Sequence, residues 1–324
     1  MPMPEYDVSA IVAACGADHA LYTHWAQSFI ALGTMISVLG AFTGLTTATY
    51  AFTVLRQPHL SHWYNFYSMS AGVSIGGSAI WTMHFVGMQA LVLTTCTGVH
   101  VPHQFNAGIT FASLIAACAI GGLCMYLVMP IGSSGGSDVA QLWRLPFKLR
   151  GHSLYLGKFS PARFAAATIA LVAGVCIMHN MGMLAMSGPY VTYYDPAIVF
   201  ASAALALVAS AAGLFIVVQC AYVGAAWYSL LLRFIAALVI ALAVNSVHYT
   251  GMLAATYHFT GDPRDNLMYG LGHNMDLPAL AVLMVALTVT VVQLLGTHAH
   301  IAGLASVVTK VTPLTPATTG TNDR

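Results

Sequence analysis

Three short segments of the chain carry the side chains best suited to hold an ion: Met83-His84-Phe85-Val86-Gly87-Met88, Met178-His179-Asn180-Met181-Gly182-Met183 and Val247-His248-Tyr249-Thr250-Gly251-Met252. All three read His-x-x-Gly-Met. On a helix, residues i and i+4 share a face, so His84 projects with Met88, His179 with Met183 and His248 with Met252. The glycine at i+3 borders that face and lets a neighbour or an ion come close. Imidazole and thioether together select soft or borderline ions, Cu(I) first among them. No carboxylate lies within the three segments or the apolar stretches around them. Calcium and magnesium, which take oxygen ligands, and carboxylate-bridged or proton-relay centres therefore have no parts here. The expected metal ligands are His84, His179 and His248 as the core set. Met88, Met183 and Met252 are partial ligands or a capture layer, and six donors leave room for a second copper.

Neighbouring residues are read more plainly. Met83, Met178, Met181 and Met186 lie off the shared face and serve as packing. Cys176, three residues before His179, is read as packing rather than as a ligand, and Asn245 as a residue that orients the His248 ring. His19, His24, His100, His103, His258 and His273 each read as solvated loop residues. No nucleophile–base pair or acid–base dyad is visible, so no catalytic residue is assigned.

The elements that must position these groups follow from composition. Of 324 residues, 58% are hydrophobic and only 6% are charged, against about 25% charged in a soluble domain. The chain cannot coat a water-facing surface, so its solvent is the lipid bilayer. A net charge of +1 leaves no electrostatic footprint for nucleic acid. Seven stretches reach the roughly 20 apolar residues that a bilayer core requires: 28–55, 70–95, 107–129, 163–187, 197–222, 233–257 and 277–296. The expected fold is an all-α polytopic membrane protein of seven transmembrane helices.

Arg56, Arg144, Lys148, Arg150, Lys158, Arg163, Arg233, Lys310 and Arg324 fall on one side of that topology, and Arg264 alone on the other. The positive-inside bias then puts the N-terminus outside and the C-terminus in the cytoplasm of a bacterial inner membrane. Residues 1–27 form an extracytoplasmic segment, with no leader peptide expected, and 28–257 a six-helix domain with a cytoplasmic loop at 131–162. Residues 258–276 make an outer loop, 277–296 the seventh span, and 297–324 a disordered cytoplasmic tail with no room for an output domain. Within the cytoplasmic loop, Gly- and Ser-rich 131–137 reads as a hinge, leading into a basic, aromatic stretch at 143–150. Cys15 and Cys96 share the outer side, where oxidation is available, and the sequence leaves their pairing open.

The chain also repeats itself. Arg163-Phe164-Ala165 answers Arg233-Phe234-Ile235, and Phe111-Ala112-Ser113 answers Phe200-Ala201-Ser202, each preceded five residues earlier by a polar residue, Asn106 or Asp195. The unit is a helix pair, used three times, in a pseudo-threefold arrangement. Counting apolar residues beyond each histidine places the imidazoles roughly 10–14 Å below the outer boundary at 1.5 Å per residue, with an outward mouth.

The three spaced copies of His-x-x-Gly-Met, two of them preceded by Met, resemble the bacterial MHYT integral-membrane sensor domain over roughly residues 20–260. That resemblance implies paired helices, a copper site near the outer face, and sensing of oxygen, carbon monoxide or nitric oxide. Val247 departs from the pattern, standing where the third copy's Met belongs. Signalling is then expected to pass through a protein partner. The competing readings are copper acquisition and delivery for an enzyme, a haem held by two imidazoles, and a metal-free scaffold. A continuing ligand path for transport is not found, and three histidines fit a bis-His haem poorly.

Overall fold

The computed structural model describes residues 7–55, 61–129, 144–149, 152–155, 161–223, 227–262 and 274–275. A short helix α1 (Val8–Cys15) precedes six long helical segments. These are α2 (Gln27–Leu55), α3 (residues 64–88), α4 (Ala107–Val128), α5 (Pro161–Ala185), α6 (Pro196–Val223) and α7 (Trp227–Leu253). Five helices are long and apolar enough to cross a membrane: Gln27–Phe52, Ala107–Val128, Pro161–Ala185, Pro196–Ala221 and Leu230–Leu253. The expected seventh span, the hinge at 131–137 and the tail lie outside the described residues.

Helix starts explain part of the repeat. Asn106 and Asp195, the polar residues spaced alike before Phe111 and Phe200, both cap helices. Asn106 Oδ1 accepts from the Ile109 N–H at 3.1 Å and Asp195 Oδ1 from the Ala197 N–H at 2.8 Å. Each satisfies one of the donors that a helix N-terminus leaves orphaned. Pro196 fits the first turn of α6, where its missing N–H removes nothing.

The segment 64–88 runs as α-helix (Tyr64–Val73), π-helix (Ser74–Thr82) and α-helix (Met83–Met88) without a break. Thr82 Oγ1 donates to the Gly77 carbonyl five residues back, at 3.0 Å. Each i→i+5 turn carries an extra residue, so nine π-helical residues rotate everything after them, including His84, relative to a plain α-helix. This helix ends at Met88, earlier than the expected span of 70–95.

The bundle is apolar outside and lined with small and hydroxyl residues inside. Phe200, Ile115 and Val208 are 77%, 69% and 66% exposed, while Ser37, Thr43, Thr47, Thr110 and Ser113 are buried. That inversion suits lipid as solvent. Buried threonines return their hydrogens to the carbonyl one turn back, as Thr47 does to Thr43 and Thr110 to Asn106, both at 2.8 Å. Gly72 packs on Gly121, and Gly76 on Ala117, so that no Cβ fits between α3 and α4. Side-by-side packing joins α2 with α3, α3 with α4, α4 with α5, α5 with α6, α6 with α7, and α7 back to α2.

The all-α expectation misses a layer of short strands over one end of the bundle. Strand β1 (Tyr22–Trp25) pairs antiparallel with β2 (Leu91–Thr94), which pairs with β3 (His100–Val101). Strand β4 (Gln104–Asn106) pairs with β7 (Met186–Ser187) and β10 (Asn274–Met275), and β8 (Tyr190–Tyr194) with β9 (Ala255–Phe259). A separate hairpin joins β5 (Arg144–Leu149), in the basic, aromatic stretch noted above, to β6 (His152–Tyr155). Residues beyond Met88, Ala185 and Leu253, expected to continue the spans, turn instead into these strands. Cys15 and Cys96 are disulfide-bonded, with Cα atoms 5.8 Å apart, tying α1 to the turn after β2.

Candidate metal centre

Helices α3, α5 and α7 each deliver one histidine to the same point. His84, His179 and His248 offer ligand atoms that all lie within 4.8 Å of one another, the one such grouping of His, Cys, Asp and Glu among the described residues. Ring centroids are 4.8 Å apart for His84–His248, 5.0 Å for His84–His179 and 5.8 Å for His179–His248, all edge to face. Nδ1 of His84 and Nδ1 of His248 stand 2.9 Å apart, so a proton between them requires opposite tautomers.

The motif glycines take a specific part in this arrangement. A Cβ on Gly251 would lie 2.7 Å from His179 Nε2, and one on Gly87 2.6 Å from His248 Nε2; on Gly182 it would collide with His84 Nε2 more severely still. Each imidazole is thus seated against the glycine of another repeat's helix, in a closed cycle of three. The glycines admit a neighbour's ring, one of the two uses expected of them.

Burial without partners marks the same place. Nε2 of His84 and Nε2 of His248 are cut off from solvent and make no hydrogen bond, as is the hydroxyl of Tyr249. Buried polar groups are normally paired, so unsatisfied imidazoles are what a site for an ion presents. Two nitrogens bound to one ion at about 2.0–2.1 Å are at most about 4.2 Å apart. A spread within 4.8 Å closes to that by small side-chain movements, so the residues fit a copper-sized ion.

Met88, Met183 and Met252 are all buried, at 0%, 5% and 2% exposure. They sit in one apolar cluster with strand residues Leu91, Phe105, Tyr190 and Tyr257. Other expectations fall differently. Cys176 stays outside the histidine grouping. Asn245 donates to the Ala241 carbonyl at 2.7 Å and accepts from Thr34 Oγ1 at 3.2 Å, facing α2 instead of orienting His248. His248 is bounded instead by Tyr249, whose ring lies edge-on at 4.8 Å and rests in turn against Trp25 at 5.6 Å. Of the outer histidines, neither His19 nor His103 is fully solvated: Nε2 of His19 is sealed from water without a partner, and so is Nδ1 of His103. Burial and the neighbouring His100 hold the pKa of His103 down to about 4.

Depth and access also differ from expectation. The histidines lie four to six residues from the ends of α3, α5 and α7, roughly 6–9 Å at 1.5 Å per residue. The strand layer closes that side with Leu91, Leu93, Phe105, Tyr190 and Phe259, each no more than 2% exposed. Among the described residues these side chains cover the triad on the strand side, where the mouth was expected. The cavity that reaches all three imidazoles, ≈ 100 Å³, extends the other way, between Met83 and Met178 and down to Gly72, Gly121 and Val217.

A helical membrane domain with a buried histidine triad between repeated motifs is the class these features define. The MHYT model, described as the bacterial signalling protein N-terminal repeat, matches residues 77–136 and 173–229, taking in the first two motifs and the helices that follow them. Those two segments are similar to that repeat of bacterial signalling proteins. The chain is 27% identical over 272 residues to the bifunctional diguanylate cyclase/cyclic di-GMP phosphodiesterase MucR of Pseudomonas aeruginosa, covering 84% of this chain and 33% of that protein. The cyclic di-GMP phosphodiesterase NbdA of the same organism is 28% identical over 232 residues, 71% of this chain and 24% of its own length. The signaling protein YkoW of Bacillus subtilis is 28% identical over 187 residues, 58% of this chain and 19% of its own. The chain thus spans a third or less of the length of these relatives. No solved structure matches it.

Proposed function

We propose that this chain is a membrane-embedded sensor domain that holds copper in the triad of His84, His179 and His248 and reports the state of that site to a protein partner. The observation carrying this reading is the convergence of three motif imidazoles at one point among three helices, with Nε2 of His84 and of His248 sealed and unpartnered. The donor set of imidazole and thioether suits Cu(I), with Met88, Met183 and Met252 one turn toward the strand layer as secondary donors. The signal is a diatomic gas or a redox change. The names of the relatives connect such domains with cyclic di-GMP enzymes, and an enzyme of that kind is the natural recipient.

The cyclic seating of each imidazole against another repeat's glycine, with the unbroken ring of helix contacts, supports a pseudo-threefold relation among the three helix pairs. Seven spans with the N-terminus outside the inner membrane follow from the charge distribution. The Cys15–Cys96 disulfide at the strand-capped end agrees, because that bond persists in the periplasm and not in the cytosol. Haem is disfavoured, since a cavity of ≈ 100 Å³ does not take a macrocycle and the three rings already touch edge to face. Copper delivery remains the alternative for the same ligands.

Metal content and the optical spectrum of protein purified in mild detergent test the reading. Stoichiometric copper in the wild type, absent from the correctly folded triple variant H84A/H179A/H248A, is the expected result. Undiminished copper in that variant would make the histidines structural.

A further inference from the structure

The cavity beside the triad is unlike the polar pathway that a hydrated ion needs. Apart from His84, His179 and His248, the only polar side chains lining it among the described residues are Ser210 and Cys124. The residues preceding each motif histidine, Met83, Met178 and Val247, all line it. This gives those two methionines a place the copper chemistry does not require. Two further lining residues, Ala212 of α6 and Val239 of α7, are exposed on the flank of the bundle formed by the described residues. The cavity therefore opens sideways into the membrane interior, while strands seal the triad on its other side.

We infer that the triad is served by an apolar side chamber through which a small, neutral, apolar molecule arrives from the lipid phase. This rests on the sensor reading for its purpose, but the chamber's ability to take such a molecule does not depend on copper. Apolar cavities stay dry, and one of 150 Å³ admits benzene or xenon. At ≈ 100 Å³ this chamber selects molecules smaller than benzene. Gases partition into hydrocarbon in preference to water, so a lateral entry draws on the phase where they are concentrated. Ions and polar solutes have no stake in that route, because leaving water for an apolar passage is costly. A lipid acyl chain is the competing occupant.

Gly213 offers a clean test. It lines the chamber, and a Cβ built there meets nothing within 4 Å, so Gly213→Leu projects into empty space without displacing backbone. Full-chain protein in nanodiscs, carrying 13C-methyl methionine, is titrated with dissolved xenon. Met83 and Met178 signals are assigned through M83L and M178L. Saturable shifts of both methyls are expected, weakened at least tenfold in G213L and retained in the triple histidine variant. Absence of saturable shifts, equal shifts in G213L, or an acyl chain holding the chamber against xenon would overturn the proposal. In a second arm, carbon monoxide is mixed with Cu(I)-loaded protein. G213L should slow binding about tenfold and leave the final affinity unchanged; an unaltered rate would overturn the route. Failure to load copper at all would sink the sensor reading and leave the xenon arm to decide the chamber.

Discussion

Replacing Gly182 with alanine should disable the centre although no ligand is touched. Glycine to alanine inside a helix ordinarily stabilises by about 1 kcal/mol through propensity. At Gly182 the new methyl group would sit against Nε2, Cδ2 and Cε1 of the His84 ring. That ring has no easy retreat. Its Nδ1 lies 2.9 Å from His248 Nδ1, and Phe85 and His179 stand edge-on at 5.0 Å each. Inserting a methyl into a well-packed interior costs about 1–3 kcal/mol, which cancels or reverses the propensity gain. The displaced imidazole then no longer converges with its partners. Disturbing the residues that orient ligands lowers metal affinity typically 10–100-fold, about 1.4–2.8 kcal/mol. Gly87→Ala and Gly251→Ala should act in the same direction more mildly, because their built Cβ atoms lie 2.6 and 2.7 Å from the facing Nε2. Gly213→Ala, with open space around its Cβ, is the control and should gain up to about 1 kcal/mol. Thermal unfolding in detergent, with Cu(I) competition against a coloured chelator under reducing conditions, measures both effects. G182A matching G213A in stability and the wild type in copper affinity would refute the seating of His84 on that glycine.

Histidine and methionine substitutions should separate in the same chelator assay. Any single His→Ala in the triad should abolish stoichiometric Cu(I) binding, while Met88→Leu should weaken it about tenfold, about 1.4 kcal/mol; equal losses would make the methionine a full ligand. The disulfide closes a span of 81 residues, and loops of that order contribute roughly 2–5 kcal/mol. The C15S/C96S variant should therefore melt earlier, and denatured, unreduced wild type should alkylate only Cys118, Cys124, Cys176 and Cys220. His103 titrates at about 4 in the folded chain against an ordinary 6.5. Its contribution is thus complete above pH 6.5 and lost as pH falls toward 4, by at most about 3.4 kcal/mol, less in so far as the partly exposed ring stays hydrated. His103→Gln should flatten acid destabilisation across that window; an unchanged pH profile would show the ring to be hydrated.

Much of the candidate site was legible in the residues alone. Identical His-x-x-Gly-Met spacing in three apolar stretches specifies one helix face each time, because helical periodicity is local. Low charge specifies lipid as solvent for the same reason: it is a sum over side chains that no packing alters. The depth of the histidines was not legible. Leu91–Thr94 and Ala255–Phe259 are as apolar as helix continuations, and a short apolar run does not declare its period. Only pairing with Tyr22–Trp25 and Tyr190–Tyr194 makes them strands and closes the expected mouth. The turn of Asn245 toward Thr34 and the seating of each imidazole on another repeat's glycine are likewise contacts between distant segments. Spacing along the chain tells which side chains share a face, and only the packing of one face against another tells what they meet.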